Sequence, residues 1–427
     1  MAMRLNQFVV FCLLAIAACS DDHSKANHLT VKVIGGYGEG MADATVVIGN
    51  QAGDLISYVT TNDLGEAYFS SLPSNATVTA AFSCYASSSK TTYYYLDTIY
   101  DVNVSALTLM LGTCAQTTPR EVDIHVTYEV EGITSSGVTL GPITYSGTNV
   151  TMDVYEFLLQ DDGNISVFAT GYDNEDNIKG YGFALDQAVV EGDVIDIAID
   201  RTDLVQHTHL LTNVPLNTVS YHAFASLLRK HSETNLPYNF MGDTAPVPAT
   251  ITTYSADSFS DNNMYGAALA LDQDSDGNSD GRVGFIRYLQ EASDQVYDFS
   301  SAPALPSDLT YYQGTTSRPI ISWSNNDSLS TAQKLIISYR SQETEKASFS
   351  YYLTAPATAT SLVFPELPDT LAAFRPSAYN TLSLETMKFD KPTTYNDFLD
   401  AISNYNGRFY DAPGLNSYAY AGISRQL

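Results

Sequence analysis

Apolar and polar residues alternate with a period of two along much of the chain. The longest run covers residues 122–130, where every second residue is apolar. This period places successive side chains on opposite faces of a half-buried strand. Residues 150–157, 165–170 and 194–199 follow the same period, and further strand-like runs bounded by turn residues occupy residues 29–34, 44–48, 56–60, 77–82 and 249–254. The pattern therefore predicts an all-β protein of short strands joined by turns.

A segment near the C-terminus has the period of a helix instead. Apolar side chains, among them Phe398 and Leu399, fall on one stripe of residues 395–405. Thr394 stands where its hydroxyl can cap the first turn, and Gly407 stands where a helix would end. We therefore expect one short C-terminal helix among the strands.

Turn-rich and Pro-rich stretches divide the strands into three regions. These are residues 28–116, residues 121–212 and residues 213–427. About seven short strands in roughly 90 residues are typical of a β-sandwich. We expect the first two regions to be sandwiches and the third to be rich in strands.

Composition and charge narrow the possible partners. The 427 residues carry 20 Lys and Arg against 48 Asp and Glu, which gives a net charge of −28. Nucleic-acid binding depends on cations that displace counterions, so we expect no nucleic-acid partner. Only 16% of the residues are charged, whereas Tyr alone contributes 30 residues. This mixture favours an extracytoplasmic β protein over a helical cytosolic one.

Residues 1–18 have the pattern of a signal peptide. Arg4 precedes an apolar run over residues 8–18. The run is too short for a membrane-spanning helix, which needs about 20 residues. It ends in the Ile-Ala-Ala-Cys of residues 16–19, which resembles the lipobox of bacterial lipoproteins. The alternative is an ordinary secretory signal with a cysteine near its cleavage site.

The resemblance to lipoproteins implies a lipid anchor on Cys19. Cleavage would follow Ala18, and residues 19–27 would then tether the first domain to a membrane. Several acyl chains make a stable anchor, because each buried CH₂ contributes about 0.8 kcal/mol. Ser20, rather than Asp, follows the cysteine, and in the sorting pattern of such lipoproteins this implies the outer membrane of the bacterial cell envelope.

Two cysteines remain for the mature fold. Cys12 leaves with the signal peptide and Cys19 carries lipid, so Cys84 and Cys114 are left. In an oxidising envelope compartment we expect these two residues to form a disulfide bond. Closing a loop of about 30 residues contributes roughly 3–4 kcal/mol in the chain-entropy treatment. The alternative is a pair of buried thiols.

Residues 44–73 resemble the carboxypeptidase regulatory-like, or transthyretin-like, domain. In that family a T-D-x-x-G turn precedes an aromatic strand and a Leu-Pro corner. Gly65, Phe69 and the Leu-Pro of residues 72–73 have matching spacing, whereas Ala67 stands where an aromatic residue is usual. The resemblance implies a β-sandwich that serves as a spacer or accessory module, and some relatives belong to carbohydrate-binding folds.

The last region has a looser resemblance to another sandwich. Residues 318–368, with Trp323, resemble the strand layout of a fibronectin type III domain. Together the patterns and resemblances predict an all-β fold of tandem immunoglobulin-like or transthyretin-like sandwiches.

The sharpest chemical motif is an acidic loop that begins at Asp272. Its spacing, D-x-D-x-D-G-x-x-D, resembles the calcium loops of EF-hand, dockerin and thrombospondin type 3 modules, and Gly277 permits the tight turn. Val283 replaces the bidentate Glu of an EF-hand, and strand patterns flank the loop. We therefore expect a structural calcium site in a hairpin loop, with a solvated acidic turn as the alternative. The expected ligands are Asp272, Asp274, Asp276 and Asp280.

Other chemical signals are weaker. His207 and His209 lie on one face of a predicted strand, a spacing that zinc sites use, although surface or interdomain histidines would look the same. Neither an H-E-x-x-H motif nor a Walker loop occurs. Paired carboxylates of a glycosidase have no spacing rule that would select them among 48 acids.

Three classes of function follow from these observations. The first is a lipid-anchored, non-enzymatic envelope protein with a binding, structural or adhesion role, which contacts a glycan or an envelope protein and is stiffened by calcium. The alternatives are a hydrolase that acts on polysaccharide or peptide and a lipoprotein that captures a solute or a metal. We expect the first, because no catalytic constellation stands out.

Overall fold

The computed structural model is built almost entirely of strands, which confirms the predicted all-β class. It describes residues 28–35, 39–86, 90–112, 120–141, 143–155, 158–159, 163–229, 232–235, 240–242, 247–256, 259–260, 262–312, 318–324, 330–340, 346–375, 379–403 and 415–426. No helix in these ranges is long and apolar enough to cross a membrane. The signal peptide and Cys19, predicted from the N-terminal sequence, lie outside the described residues.

The first seven strands build one sandwich. One of its layers has the order β4-β1-β7, and the facing layer contains β3, β2, β5 and β6. Val31, Val46 and Val78 are fully buried between the two layers, because alternate residues of each strand face inward. The strands are β1 (Leu29–Ile34), β2 (Thr45–Gly49), β3 (Leu55–Thr60), β4 (Glu66–Phe69), β5 (Ala76–Ala86), β6 (Thr91–Val102) and β7 (Ala106–Met110).

The next seven strands build a second sandwich. A sheet of order β11-β8-β14 faces a sheet of order β10-β9-β12-β13. Ile124 and Val126 of β8 are buried in its core, as the alternation over residues 122–130 predicts. The strands are β8 (Arg120–Tyr128), β9 (Ser135–Leu140), β10 (Ile143–Ser146), β11 (Asn149–Val154), β12 (Ile165–Tyr172), β13 (Ile178–Gln187) and β14 (Asp193–Ile199).

The remaining strands form two small sheets and most of one large sheet. The small sheets have the orders β19-β15-β22 and β23-β24-β27. The strands are β15 (Val205–Thr212), β16 (Thr218–Arg229), β17 (Ser232–Asn235), β18 (Phe240–Gly242), β19 (Thr250–Ser255), β20 (Asn262–Leu271), β21 (Gly281–Leu289), β22 (Gln295–Asp298), β23 (Ser307–Tyr312), β24 (Ile320–Ser324), β25 (Ala332–Arg340), β26 (Lys346–Pro356), β27 (Ser361–Val363), β28 (Thr381–Phe389) and β29 (Ser417–Gln426).

A helix, α1 (Tyr395–Ser403), lies where the sequence predicts it. The Asp397 N–H donates to the Thr394 hydroxyl at 3.2 Å, which is the expected cap. Phe398 and Leu399 are buried in the core of the first sandwich, where α1 contacts β7. Gly407, the predicted end of the helix, lies outside the described residues. Two short 3-10 turns cover Phe299–Ser301 and Asp369–Phe374.

The large sheet joins the first and last predicted regions. Its described strands have the order β17-β16-β20-β21-β29-β28-β25-β26-β6-β5-β2-β3, with β18 paired to β16. At the junction, β6 and β26 are parallel, and their register runs from Thr91 opposite Lys346 to Ile99 opposite Thr354. This pairing crosses the boundary placed at residue 116 on sequence grounds.

The two faces of the large sheet are covered by different layers. The β4-β1-β7 sheet and α1 pack on one face. The β23-β24-β27 sheet and the β19-β15-β22 sheet pack on the opposite face, against Leu384 of β28 and Ala421 of β29 respectively. Since neighbouring residues of a strand point to opposite faces, Glu385, Tyr420 and Gly422 lie on the same side as α1. A groove lies on this side of the sheet.

Candidate functional site

The acidic motif forms the loop of a β-hairpin. It joins β20 to β21, whose last paired residues are Leu271 and Gly281. The Asp280 N–H donates to the Leu271 carbonyl at 2.8 Å and closes the loop. The predicted strand–loop–strand context is therefore present, and it differs from the helix–loop–helix context of an EF-hand.

Asp272 is the centre around which this loop curls. Its carboxylate is buried and accepts hydrogen bonds from the backbone N–H groups of Ser275, at 2.6 Å, and Gly277, at 2.8 Å. Ser275 and Gly277 have φ values of 65° and 87°, which turn the backbone N–H groups inward. Asn217 fixes the base of the loop, because its side-chain amide donates to the Asp272 carbonyl at 2.8 Å.

Three carboxylates of the loop converge. Oxygen atoms of Asp272, Asp274 and Asp276 all lie within 4.8 Å of one another, the only such group of metal-binding side chains that the described part of the chain contains. Hydrogen bonds from the side chain and the backbone N–H of Asn278 lower the pKa of Asp276, so its carboxylate is ionised at neutral pH. Each carboxylate has about four lone-pair positions, so oxygens remain for a hard cation.

Asp280, the fourth predicted ligand, has a different position. Its carboxylate accepts hydrogen bonds from the backbone N–H groups of Gln273 and Asp274. It therefore shapes the loop backbone and is not part of the cluster of three carboxylates.

The loop also matches the sequence pattern of a serine-hydrolase motif. Residues 277–281 read G-x-S-x-G, in which a catalytic serine would occupy a sharp strand-to-helix turn. Here Ser279 lies in a hairpin between two strands, and its hydroxyl donates to the Gly281 carbonyl at 3.1 Å. The context required for a nucleophile elbow is therefore absent at this serine.

A groove of about 630 Å³ begins beside the loop and extends across β21, β29, β28 and β25. Its chemistry is mixed, with charged, hydroxyl, aromatic and aliphatic side chains. The side chains that line it include those of Ser279, Asp280, Arg282, Ile286, Ile336, Ser383, Glu385, Tyr418, Tyr420 and Ser424.

Burial changes the titration of two groups in the groove. It raises the pKa of Glu385, although the positive charge of Lys334 opposes this effect. Burial and the nearby Glu385 also raise the pKa of Tyr420 to about 12, against the opposing influence of Arg282. Tyr420 is therefore a neutral phenol at physiological pH and keeps its O–H donor.

No pattern in the sequence identifies this groove. Arg282, Glu385 and Tyr420 belong to three strands, and no spacing rule relates them. They meet only because β29 pairs with both β21 and β28, which places Gly422 opposite Arg282 on one side and Glu385 on the other.

The two histidines of β15 are core residues rather than surface or interdomain ones. His207 Nε2 lies 2.9 Å from the Ser255 hydroxyl, and His209 Nε2 lies 2.5 Å from the Thr253 hydroxyl. His209 Nδ1 accepts the Gln295 N–H at 3.2 Å, which selects the neutral ring. Burial, followed by the charge of His207, lowers the pKa of His209 to about 4. These hydrogen bonds account for both rings as structural groups.

The predicted disulfide stays a prediction. Cys84 lies in β5, opposite Tyr93 of β6. Cys114 lies outside the described residues, which stop at Gly112 before resuming at Arg120. Gly112 packs against the ring of Tyr95 on the same strand as Tyr93.

Comparisons with known proteins identify no family. No protein-family profile matches the chain, and no curated protein matches it. The Bacillus anthracis TIE protein is 11% identical, with a TM-score of 0.16, over 64% of this chain and 49% of its own. A DUF4876 family protein from Bacteroides thetaiotaomicron is 14% identical, with a TM-score of 0.16, over 49% of this chain and 45% of its own.

A third solved structure is equally distant. A leucine-rich repeat protein from Bacteroides thetaiotaomicron is 8% identical, with a TM-score of 0.18, over 43% of this chain and 26% of its own. The matched regions thus span about half or less of the length of these three proteins.

Proposed function

We propose that the chain is a lipid-anchored protein of the bacterial cell envelope that binds or supports other envelope components without catalysis. The support is its β-sandwich architecture, the lipobox-like residues 16–19 and the absence of helix-borne catalytic geometry at Ser279. The net charge of −28 agrees with an extracytoplasmic partner that is not a nucleic acid.

The acidic hairpin loop is proposed to bind one calcium ion as a structural ligand. The observation that carries this proposal is the convergence of Asp272, Asp274 and Asp276 within 4.8 Å. Three negative charges so close together repel one another, and a divalent cation would offset that repulsion. The hard oxygen donors suit calcium, and the surrounding negative field raises the local cation concentration.

Calcium-dependent thermal unfolding tests this proposal on the fragment from Ser20 to Leu427, which lacks the lipid-carrying Cys19. Binding to the folded state raises its stability by RT ln(1 + [L]/Kd), so at a calcium concentration about 100 times Kd we expect about 2.7 kcal/mol. Asp274→Ala should abolish the shift in Tm, because it removes one member of the cluster.

Asp153→Ala is the matched control for that experiment. Asp153 is an exposed aspartate of β11, far from the loop in sequence, and its replacement should leave the calcium shift intact. An unchanged Tm of the wild-type protein at millimolar calcium, relative to chelator, would reduce the loop to an acidic hairpin.

The lipid anchor has a separate test in the full-length precursor. Cys19→Ser removes the thiol that would carry diacylglycerol, so the protein should move from the detergent phase to the aqueous phase in Triton X-114 partitioning. Cys84→Ser, which leaves Cys19 in place, should keep the protein in the detergent phase. Continued partition of the Cys19→Ser protein into detergent would contradict the anchor.

A further inference from the structure

Three polar side chains in the groove have no hydrogen-bond partner among the residues that the structure describes. They are the carboxylate of Glu385, the guanidinium of Arg282 and the hydroxyl of Tyr420. Arg282 and Glu385 also make no ion pair within the same part of the chain. A half-buried carboxylate without a hydrogen-bond donor is costly, and the charge of Lys334, opposite Glu385 on β25, offsets only part of the cost of burial. These groups are therefore available to a ligand.

The sheet fixes the spacing of the two charged groups. Arg282, Gly422 and Glu385 are consecutive partners across β21, β29 and β28. Two inter-strand steps separate the backbones of Arg282 and Glu385 by about 10 Å, since neighbouring strands lie about 4.8 Å apart. Gly422, between them, has no side chain, so the floor of the groove is open at this point.

Apolar surface surrounds this polar row. The ring of Tyr420 covers Gly284, where an added Cβ would lie 2.8 Å from the tyrosine Cζ and hydroxyl. Tyr418 follows on the same face, with its ring centroid 6.4 Å from that of Tyr420. Ile286 and Ile336 complete an apolar lining. The groove thus offers both hydrogen bonds and faces for nonpolar C–H groups.

We infer that this groove binds the ring of a neutral saccharide. A sugar ring has hydroxyl groups around its perimeter, which can donate to Glu385 and accept from Arg282 at the same time. Its C–H faces can pack on tyrosine rings. The volume of about 630 Å³ lies within the range of small-molecule sites. This inference deepens the proposed function, because it names the ligand class of the binding surface.

Charge argues against other small ligands. Charges of both signs meet in the groove, Asp280 and Glu385 against Arg282 with Lys334 opposite Glu385, so neither an anion nor a cation finds a site of one sign. A neutral hydroxylated ring meets neither difficulty.

Saturation-transfer difference NMR with neutral mono- and oligosaccharides of glucose, galactose and mannose tests the inference. We expect one of these sugars to bind the mature protein, with an affinity then measured by calorimetry. Glu385→Gln and Arg282→Ala should each weaken that affinity about tenfold or more, as expected for loss of a hydrogen bond to a charged group. Arg282 is exposed, so its replacement should leave the fold intact.

Tyr312→Ala is the matched control, since Tyr312 is 65% exposed on β23, outside the groove. It should bind the sugar as the wild-type protein does. Failure of every neutral sugar in the panel to bind would overturn the inference. Equal binding by the Arg282→Ala, Glu385→Gln and Tyr312→Ala proteins would overturn it as well.

Calcium titration separates this inference from the proposed role of the loop. Each sugar measurement is made with calcium and with chelator, on the wild-type and Asp274→Ala proteins. Sugar binding that depends on Arg282 and Glu385 supports the groove even if calcium leaves Tm unchanged. A calcium shift in Tm without sugar binding supports the loop and overturns the groove.

Discussion

At the scale of single residues, His209 shows how burial determines protonation. Its ring is 1% exposed and holds one hydrogen bond on each nitrogen. Nδ1 accepts the Gln295 N–H, so Nε2 carries the proton and donates to the Thr253 hydroxyl. A second proton on Nδ1 would break the bond to Gln295 and place a charge beside His207 and Arg287. The neutral ring is therefore the folded form over most of the accessible pH range.

This arrangement predicts a loss of stability at mildly acidic pH. Below pH 6.5 the unfolded chain binds a proton at His209, whereas the folded protein does not until about pH 4. The unfolded state is favoured as pH falls through this window, by about 2 kcal/mol at pH 5. His209→Gln should lessen the difference in unfolding free energy between pH 7 and pH 5, measured by urea denaturation.

Comparison with a second histidine isolates this effect from the titration of carboxylates. His125 is a half-exposed residue of β8 near Asp196, outside the β15 core. His125→Gln should retain the pH dependence of the wild-type protein. The same pH dependence in the His209→Gln and wild-type proteins would show that His209 does not control it.

His207 and His209 also show what a spacing pattern in the sequence does not reveal about a strand. An i, i+2 spacing on a strand correctly places His207 and His209 on one face, because the side-chain period is two. It does not say what that face meets. The hydroxyl partners, Ser255 and Thr253, come from β19, which pairs with β15 in the folded chain. A metal site and a buried hydrogen-bonded pair therefore look alike in sequence.

At the scale of elements, local sequence signals are sufficient to predict α1. The Thr394 hydroxyl accepts the Asp397 N–H, and the Thr394 carbonyl accepts the Phe398 N–H at 3.1 Å. Thr394→Ala should lower the free energy of unfolding by about 1 kcal/mol, because one N–H of the first turn loses its acceptor. Thr393→Ala, at the exposed preceding position, should change stability by much less.

Urea denaturation of the two threonine variants measures this difference. Equal free energies of unfolding of the Thr394→Ala and Thr393→Ala proteins would mean that α1 is stabilised by its packing on the first sandwich rather than by its cap. Circular dichroism at 222 nm is of little use here, since strands dominate the described structure.

The acidic hairpin and the groove differ in how far their residues are separated in sequence. The hairpin was predictable because its strands and loop are contiguous from β20 to β21, and turn chemistry acts locally. The groove required β29, the last strand, to insert between β21 and β28. Strand periodicity identifies the buried face of each strand but does not identify its neighbours. The proximity of Arg282 and Glu385 could therefore not be predicted from sequence patterns.

At the scale of the whole molecule, the β6–β26 pair joins segments that are far apart in the chain into one sheet. Leu96 of β6, Leu335 of β25 and Leu353 of β26 are fully buried in the same core. Trp323, the single tryptophan, is 4% exposed in that core. The resemblance of residues 44–73 to a self-contained module gives no hint of this pairing, because the module would fold with a free β6 edge.

The shared core predicts which segments unfold together. Leu353→Ala should destabilise it by about 2–5 kcal/mol, through lost burial and the cavity left behind. Hydrogen exchange followed by mass spectrometry should then show faster exchange in both β5–β6 and β25–β28 than in the wild-type protein. The fluorescence of Trp323 should change at a lower urea concentration than in the wild-type protein. Ile197→Ala, in the core of the second sandwich, should instead speed exchange in β8–β14. Unchanged exchange in β5–β6 of the Leu353→Ala protein would mean that the first sandwich is stable on its own, with the parallel pair a contact between independent domains.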